Sequence, residues 1–323
     1  MKNSEFTGKN VLVAGGSGLI GRQLVDLLLR EGASVFVADV RTPEDDFLKK
    51  ITFKKLDLTN YENCMSACDG MDYVFNLLCL KGSPKIMKNQ PVRALVPQIL
   101  FNTNLLKAAH SCNVKKYLYT SSVGVYHPAE VFREDDVWKT FPSERDRFAG
   151  WAKRIGELQA EAYSLQYGWD NISIVRPANV YGPYDDFDSD AAMVVPSLVK
   201  KALTSEDKLV VWGNGKAVRD FIHSKDVARG MMIVMKKSPG PTFPVNLASG
   251  IGYTIKELAE VITANVDKKL DIVWDAAGAT GDNKRVLDTH RAESIGFIPE
   301  ISLEEGIKDV IGWYVQNRRP KEN

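Results

Sequence analysis

A glycine-rich segment near the amino end constrains the fold more than any other part of this sequence. It is Gly15-Gly16-Ser17-Gly18-Leu19-Ile20-Gly21, which follows the apolar run 10–14 and leads into a periodic apolar stretch. Glycine at positions 15 and 18 permits a tight turn and a close approach of the backbone to a pyrophosphate. The helix that follows offers unpaired N–H groups and the positive end of its dipole to that anion. The segment predicts a dinucleotide site with contacts from Gly15, Ser17, Gly18, Leu19, Ile20 and Gly21.

The first 180 residues alternate short apolar runs with amphipathic stretches. The runs, each typical of a buried strand, are 10–14, 35–39, 73–78, 117–121 and 172–176. Apolar residues between them follow the helical period, with stops expected at Gly32 and near Gly168. Repeated strand and helix units predict an α/β fold with a doubly wound parallel sheet.

The rhythm changes after Arg176, which predicts a second, smaller α/β lobe. A loop-rich segment at 181–188 precedes helices expected at 194–203, 254–266 and 303–314, with Thr254 near the start of the second. We therefore predict a nucleotide-binding domain over 1–177, with a returning segment near 217–245. Residues 178–323 are expected to form mainly the substrate-binding lobe.

The choice of dinucleotide depends on the residues that end the second and third strands. Asp39 can accept hydrogen bonds from both ribose hydroxyls and would repel a 2′-phosphate, which favours NAD over NADP. Arg41 lies two residues later and could pair with such a phosphate. Asp57-Leu58 follows the third strand, where a carboxylate can meet the adenine amino group or simply occupy a surface loop.

Composition excludes several other classes of function. The chain has 42 Lys and Arg against 41 Asp and Glu, so its formal net charge of +1 gives no field for nucleic acid. It has no apolar stretch long enough for a membrane span and no secretory signal pattern. The 4 Cys and 4 His lack metal-ligand spacing. We expect no metal, no membrane association and a cytoplasmic location.

The glycine-rich segment, Asp39, Asp57-Leu58 and further motifs occur in the order typical of a known family. The resemblance extends from about residue 9 to about residue 315. The further motifs are Asn102, Ser121-Ser122, Lys153, Arg176-Pro177-Ala178-Asn179-Val180-Tyr181-Gly182-Pro183, Arg219-Asp220-Phe221-Ile222-His223, Asp226-Val227-Ala228 and Asn246-Leu247-Ala248. The chain resembles the extended short-chain dehydrogenase/reductases, and within them the nucleotide-sugar epimerases and dehydratases. The resemblance implies a Rossmann-type domain that binds NAD and a lobe that binds a nucleoside diphosphate sugar. It adds Leu77, Asn102, Lys153 and Pro177 to the cofactor contacts.

The catalytic motif of that family is incomplete in this chain. The resemblance implies a Tyr-x-x-x-Lys pair, in which the lysine and the cofactor ring lower the pKa of the phenol, with a Ser or Thr holding the sugar oxygen. Lys153 and Ser122 match, but the tyrosine position holds Ala149. Phe148 has no titratable group, and neither Tyr126 nor Tyr163 is placed to replace the base.

Loss of a positioned acid/base group typically lowers a rate by about 10²- to 10⁴-fold. We therefore expect a chain that binds its ligands and turns over poorly. Two histories fit Ala149: a replacement made to trap substrate, and a natural chain that has lost or moved its base. The first is favoured because Lys153, Ser122 and the cofactor motifs remain.

Residues after Ser122 distinguish the reactions of the family. Its 4,6-dehydratases place Asp-Glu where this chain has Val123 and Gly124, and Gly124 also lacks the side chain that decarboxylases and 3,5-epimerases use. Met193, near the second proton-exchanging position of 3,5-epimerases, cannot carry a proton. The reaction that these residues still allow is the redox 4-epimerisation of a sugar, and a 4-ketoreductase is the second hypothesis. An inactive protein that binds NAD or a nucleotide sugar is the non-enzymatic alternative.

Substrate contacts follow from charge and from the resemblance. Arg219 and Arg285 are candidates for the diphosphate, because an arginine fork suits phosphate oxygens, although either could form a surface ion pair. The other candidates are Lys81, Ser122, Val123 and Asn179, and for Lys81 a solvated surface position is an equal alternative. UDP and GDP are the favoured nucleotides. The resemblance also implies a homodimer paired through helices that include 102–109 and 151–165.

Overall fold

Strands and helices alternate along the chain as the apolar runs predict. The computed structural model describes residues 4–80, 90–189, 192–276 and 282–317. The strands are β1 Asn10–Ala14, β2 Ser34–Asp39, β3 Thr52–Lys55, β4 Tyr73–Asn76, β5 Lys116–Thr120, β6 Ile172–Pro177, β7 Asn179–Tyr181, β8 Lys208–Trp212, β9 Val218–His223, β10 Val245–Leu247, β11 Gly252–Thr254, β12 Asp271–Asp275 and β13 Lys284–Arg285.

The helices vary in length from one turn to six turns. They are α1 Leu19–Arg30, α2 Asp45–Leu48, α3 Tyr61–Cys68, α4 Pro91–Ser111, α5 Arg147–Tyr167, α6 Val194–Thr204, α7 Ser224–Lys237, α8 Ile255–Ala264, α9 His290–Ser294 and α10 Leu303–Asn317. Two short 3₁₀ turns, Val123–Val125 and Glu134–Lys139, precede α5. No helix within the described ranges is long and apolar enough to cross a membrane.

The central sheet has seven parallel strands in the order β3-β2-β1-β4-β5-β6-β10. The chain runs outward from β1 to one edge, then returns to β4 and runs to the other edge. This reversal between β1 and β4 opens a crevice at their carboxyl ends, which is where ligands bind in such sheets. The predicted class, a doubly wound α/β fold, is confirmed.

The two faces of the sheet pack against different helices. Val11 and Val13 of β1 belong to a core with α1 and α7, whereas Leu12 and Ala14 face a core with α3, α4 and α5. Successive side chains of a strand point to opposite faces, so an unbroken apolar strand is needed in a sheet covered on both sides.

The second lobe is built around β9. Strands β11 and β13 flank β9, β7 also pairs with it, and β8 pairs with β12 in a separate two-stranded sheet. Helices α6, α8 and α10 supply a core that includes Leu198, Leu258 and Ile307. The parallel register of β13 and β9 places Arg285 beside Arg219.

Local chemistry explains where the elements end. Helix α5 stops at Gly168, whose φ of +64° suits glycine, and α8 begins after Thr254, which forms a capping box with Glu257. Both positions were expected from the sequence. Strand β4 ends at Asn76, two residues before the predicted end, because the Asn76 side chain accepts a hydrogen bond from the Leu78 N–H at 3.1 Å.

Candidate active site

The glycine-rich turn lies at the crevice between β1 and β4. Gly15 has a φ of +79°, and a side chain built there would approach the Leu77 carbonyl oxygen to 3.2 Å. A side chain at Gly16 would lie 2.8 Å from Val37, and one at Gly21 would lie 2.6 Å from the Gly16 Cα. Because glycine has no side chain, the backbone of the turn can pack directly against the neighbouring strands and helix α1.

The amino end of α1 is suited to an anion. Its N-cap residue is Gly18, no side chain caps the first turn, and that turn contains no acidic residue. Leu19 is buried and Ile20 packs against the core, so their backbone N–H groups are held by a fixed helix end. Together with the glycine turn, this end fits the pyrophosphate of a dinucleotide.

Asp39 and Arg41 border the same turn. The Asp39 carboxylate accepts hydrogen bonds from the Ser17 N–H at 3.2 Å and the Arg41 N–H at 3.1 Å. One guanidinium nitrogen of Arg41 lies 4.0 Å from the position that a side chain at Gly18 would occupy. The expected acidic residue therefore meets the glycine turn, with one cation beside it.

The remaining predicted cofactor residues have structural partners of their own. Asp57 accepts hydrogen bonds from the Thr59 N–H at 2.9 Å and the Thr59 hydroxyl at 2.7 Å, while Leu58 is buried in the core. Asn102 is buried and bonds to Asn76 and Tyr119. Pro177 is buried at the end of β6, paired with Leu247. A role for these residues in binding the cofactor stays a prediction.

Lys153 lies on α5 against the carboxyl ends of β4 and β5. Its buried ammonium donates to the Thr120 carbonyl at 2.7 Å and to the Leu78 carbonyl at 3.2 Å. Burial lowers the pKa of Lys153, because desolvation disfavours the charged form. The lysine is thus fixed beside the crevice that the glycine turn borders.

The first turn of α5 packs against the segment that contains Ser122. The Ser122 hydroxyl accepts a hydrogen bond from the Gly124 N–H at 3.1 Å. A side chain at Gly150 would collide with the Gly124 carbonyl and lie 2.8 Å from Pro142. The half-buried Ala149 immediately precedes this contact and presents only a methyl group. The structure therefore brings together the turn with position 149 and the segment with the expected hydroxyl.

Two tyrosines border this region, and both hydroxyls are already engaged. Tyr119 donates to the Lys153 carbonyl at 3.2 Å, and Tyr126 donates to the Asn246 amide oxygen at 2.5 Å. Burial raises the pKa of both phenols above the usual value near 10. Both hydroxyls therefore have structural partners, and the absence of a replacement base stays a prediction.

A buried ion pair behind the site was not anticipated from the sequence. Arg176 binds Glu157 through two hydrogen bonds of 2.9 and 2.6 Å, and Glu157 also accepts one from the Ser121 hydroxyl at 2.5 Å. Arg176 donates further to Tyr126 and to the Glu134 carbonyl. Arg176 and Ser121 belong to motifs of the family resemblance, but nothing in the sequence links them to Glu157.

The two candidate arginines differ in their partners. Arg285 binds the carboxylates of Asp146 and Asp282, and these outweigh desolvation to raise its pKa. Arg219 donates to the carbonyls of Val218 and Asp282, with no ion pair to any residue that the structure describes. Burial and then Arg285 lower the pKa of Arg219 to about 10. Arg219 therefore remains a cation at neutral pH, and within the described ranges Asp282 and Asp146 act on it through their charge without forming an ion pair.

The other predicted substrate residues are less informative. Val123 is buried in the 3₁₀ turn after Ser122, and the Asn179 amide donates to the Asp220 carbonyl at 2.9 Å. Lys81 lies outside the described residues. No group of three His, Cys, Asp or Glu side chains that could hold a metal ion occurs in the described part of the chain.

Comparisons with known proteins agree with this geometry. A model of the NAD dependent epimerase/dehydratase family matches residues 11–248. The chain belongs to this family. The match begins at the second residue of β1 and ends just after β10, so it contains the glycine turn, Lys153 and all of the central sheet except Asn10.

Several relatives align with nearly the whole length of this chain. GDP-L-fucose synthase 1 of Arabidopsis thaliana is 28% identical, over 95% of this chain and 93% of its own. A dTDP-4-dehydro-6-deoxy-D-allose reductase of a Streptomyces species is 28% identical, over 99% of this chain and 100% of its own. The solved UDP-glucose 4-epimerase of Thermotoga maritima is 27% identical with a TM-score of 0.84, covering 96% of this chain and 100% of that one. The family thus includes nucleotide-sugar epimerases and reductases.

Proposed function

We propose that this protein acts on C4 of a nucleoside diphosphate hexose by redox epimerisation, in a form weakened by Ala149. The observation that supports the proposal is a fixed Lys153 and a Ser122 hydroxyl near Ala149, the position where the resemblance implies a tyrosine. A bound NAD would supply the hydride acceptor and donor. Ser122 would hold the sugar oxygen, and Lys153 would orient the cofactor ribose and lower the pKa of a phenol at position 149.

The charge of the second lobe supports a diphosphate substrate. Arg219 and Arg285 lie side by side, and the two carboxylates nearby both bind Arg285. Arg219 forms no ion pair with the residues that the structure describes, so a diphosphate would provide one, and arginine can bind phosphate oxygens through two hydrogen bonds. GDP is favoured as the nucleotide by the relatives named GDP-L-fucose synthase, and UDP by the solved epimerase.

NAD is preferred over NADP in this proposal because of Asp39. Its carboxylate lies beside the turn, where the negative charge would repel a 2′-phosphate. Arg41 provides a cation that could offset part of this repulsion. We expect measurable NADP binding, weaker than that of NAD.

A 4-ketoreductase is the second candidate, and the reductase among the relatives favours it. Such an enzyme reduces a keto-sugar once and must exchange its cofactor after each turnover. An epimerase returns the hydride to the same sugar and needs no exchange. Consumption of one reduced cofactor for each sugar converted would therefore identify the reductase.

Restoring the tyrosine tests the proposal. We expect Ala149→Tyr to raise the rate by about 10²- to 10⁴-fold, because it returns a positioned acid/base group. Product formation is measured on UDP-, GDP-, CDP- and dTDP-hexoses, with NAD and with NADP. The matched control is Ala149→Phe, which adds the ring without the hydroxyl and should leave the rate low.

Two outcomes would contradict the assignment. Rapid turnover by the parent chain, equal to that of Ala149→Tyr, would show that a different group serves as the base. An inactive Ala149→Tyr variant that still binds NAD and a nucleotide sugar would favour a binding protein without catalysis.

A further inference from the structure

Asp146 immediately precedes α5, and its carboxylate does not cap that helix. No side chain caps the first turn of α5. Instead, one carboxylate oxygen of Asp146 binds the Arg285 guanidinium at 2.5 Å and the Ser143 hydroxyl at 3.4 Å. No hydrogen bond from any residue that the structure describes reaches the other oxygen, Oδ1. A partly exposed carboxylate oxygen therefore remains available at the start of the helix that carries position 149.

Asp146 and Ser122 border one small gap. A side chain built on Gly124 would lie 3.5 Å from the Ser122 hydroxyl oxygen and 3.6 Å from the Asp146 Cβ and Cγ atoms. These are ordinary contact distances, so a methyl group would fill the gap without displacing either side chain. The absence of that methyl group leaves a gap bordered by the Ser122 hydroxyl oxygen and by the Cβ and Cγ atoms of Asp146.

The arrangement continues into the arginine pair. Arg285 binds Asp146, and Arg219 lies next to Arg285 across the β9–β13 register. The order is thus Ser122, Asp146, Arg285 and Arg219. The groups of a nucleotide sugar follow the same order. The reacting sugar carbon would lie at Ser122, a ring hydroxyl at Asp146 and the diphosphate at the two arginines.

We propose that Asp146 recognises the sugar ring by accepting a hydrogen bond from a ring hydroxyl, between Ser122 and the arginine pair. This inference rests on the proposed function, because it needs a sugar at Ser122 and a diphosphate at the arginines. A carboxylate this close to a diphosphate repels it, so it weakens the binding of the nucleotide alone. Its Oδ1 oxygen, which accepts no hydrogen bond from the described residues, gains a donor when the hydroxyls of the sugar arrive. Asp146 therefore discriminates nucleotide sugars from free nucleotides.

The experiment compares ligands with and without the sugar. Calorimetry with saturating NAD measures the affinities for GDP and GDP-mannose, and for UDP and UDP-glucose. In Asp146→Asn, we expect the advantage of nucleotide sugar over nucleotide to fall about 10-fold, because a neutral amide oxygen accepts a hydrogen bond more weakly than a carboxylate does. The affinity for the nucleotide alone should stay the same or increase, because a repelling charge is removed.

Two further variants separate recognition from structural support. Asp282→Asn removes the other carboxylate that binds Arg285, three residues away on the same segment. It should change the affinities for the nucleotide and for the nucleotide sugar by the same factor. Gly124→Ala fills the gap at contact distance, so it should fold normally. It should lower the affinity for the nucleotide sugar and leave that for the nucleotide unchanged.

The possible failures are distinct. If Asp146→Asn weakens nucleotide and nucleotide sugar by the same factor, Asp146 only supports Arg285 and the inference is wrong. Unchanged affinities for both ligands would also overturn it. A parent chain that binds none of the four ligands would instead contradict the proposed function itself.

Discussion

The guanidinium of Arg176 is fully buried and joins three separate parts of the chain. It binds Glu157 on α5, the Tyr126 hydroxyl and the Glu134 carbonyl. Burial alone would lower its pKa, but the carboxylate of Glu157 outweighs that effect and raises the pKa above the usual arginine value. The charge of Arg176 is therefore maintained by the partners it holds in place.

We expect Arg176→Met to lower the free energy of unfolding by about 3–5 kcal/mol, because it leaves the buried Glu157 without its cation. Lys308→Met is the matched control, since Lys308 pairs with Glu304 on an exposed helix surface and should cost under about 1 kcal/mol. Urea denaturation measures both. A loss for Arg176→Met no larger than that of the control would show that the buried pair contributes little.

Contacts within a local backbone motif could be anticipated from the sequence. Ser17 of the glycine-rich turn donates to Asp39 at the end of β2, because strand, turn and helix are adjacent in the chain. Asp146 was missed because its partner Arg285 is 139 residues away. No local pattern encodes such a contact, which exists only once both lobes are packed.

Helix α5 carries position 149 and Lys153, and glycines control how closely it packs. A side chain at Gly156 would collide with the Tyr119 ring, with its Cε1 atom at 2.9 Å. The Tyr119 hydroxyl is held by Lys153 and Asn102, so the ring has little freedom to move away. The position of Lys153 over the crevice depends on this close contact.

We expect Gly156→Ala to destabilise the protein by about 1–3 kcal/mol, because overpacking exceeds the gain in helix propensity. Gly312→Ala on α10 is the control: nothing lies within 4 Å of its side-chain position, so alanine should stabilise the protein by about 0.5–1 kcal/mol. Thermal unfolding compares the two. Equal, stabilising effects would mean that α5 can move away from Tyr119.

At the scale of the whole molecule, α4 and α5 leave apolar side chains exposed. These are Val92, Val96 and Leu100 on α4 and Leu158 and Leu165 on α5, and a hydrogen bond from Gln159 to Thr103 joins the helices. The side chain of Leu165 is 80% exposed. Exposed apolar patches often mark contact surfaces, and a homodimer through these helices stays our prediction.

Leu165→Asp should shift the protein from dimer to monomer, because a carboxylate would then be buried in the interface. Light scattering after size exclusion measures the mass. Ile298→Asp is the control, as Ile298 is also exposed but lies outside both helices. A parent chain that is monomeric, or a dimer that Leu165→Asp leaves intact, would contradict this interface.

The apolar runs predicted most of the strands of the central sheet, but they predicted only some of the elements of the second lobe. Strands β7, β11 and β13 have three residues or fewer, too short to show a period. They are defined by pairing with β9 rather than by their own sequence. The proposed substrate contacts depend on such pairings, which is why they were harder to anticipate than the glycine turn.

The distances along the chain also imply an order of assembly during synthesis. Ser17 and Asp39, at the cofactor turn, are 22 residues apart, whereas Asp146 must wait for Arg285, 139 residues later. Domains fold largely as units, from the amino end, as the chain is made. A nascent chain can therefore form its cofactor turn well before the residues proposed to bind the sugar have met.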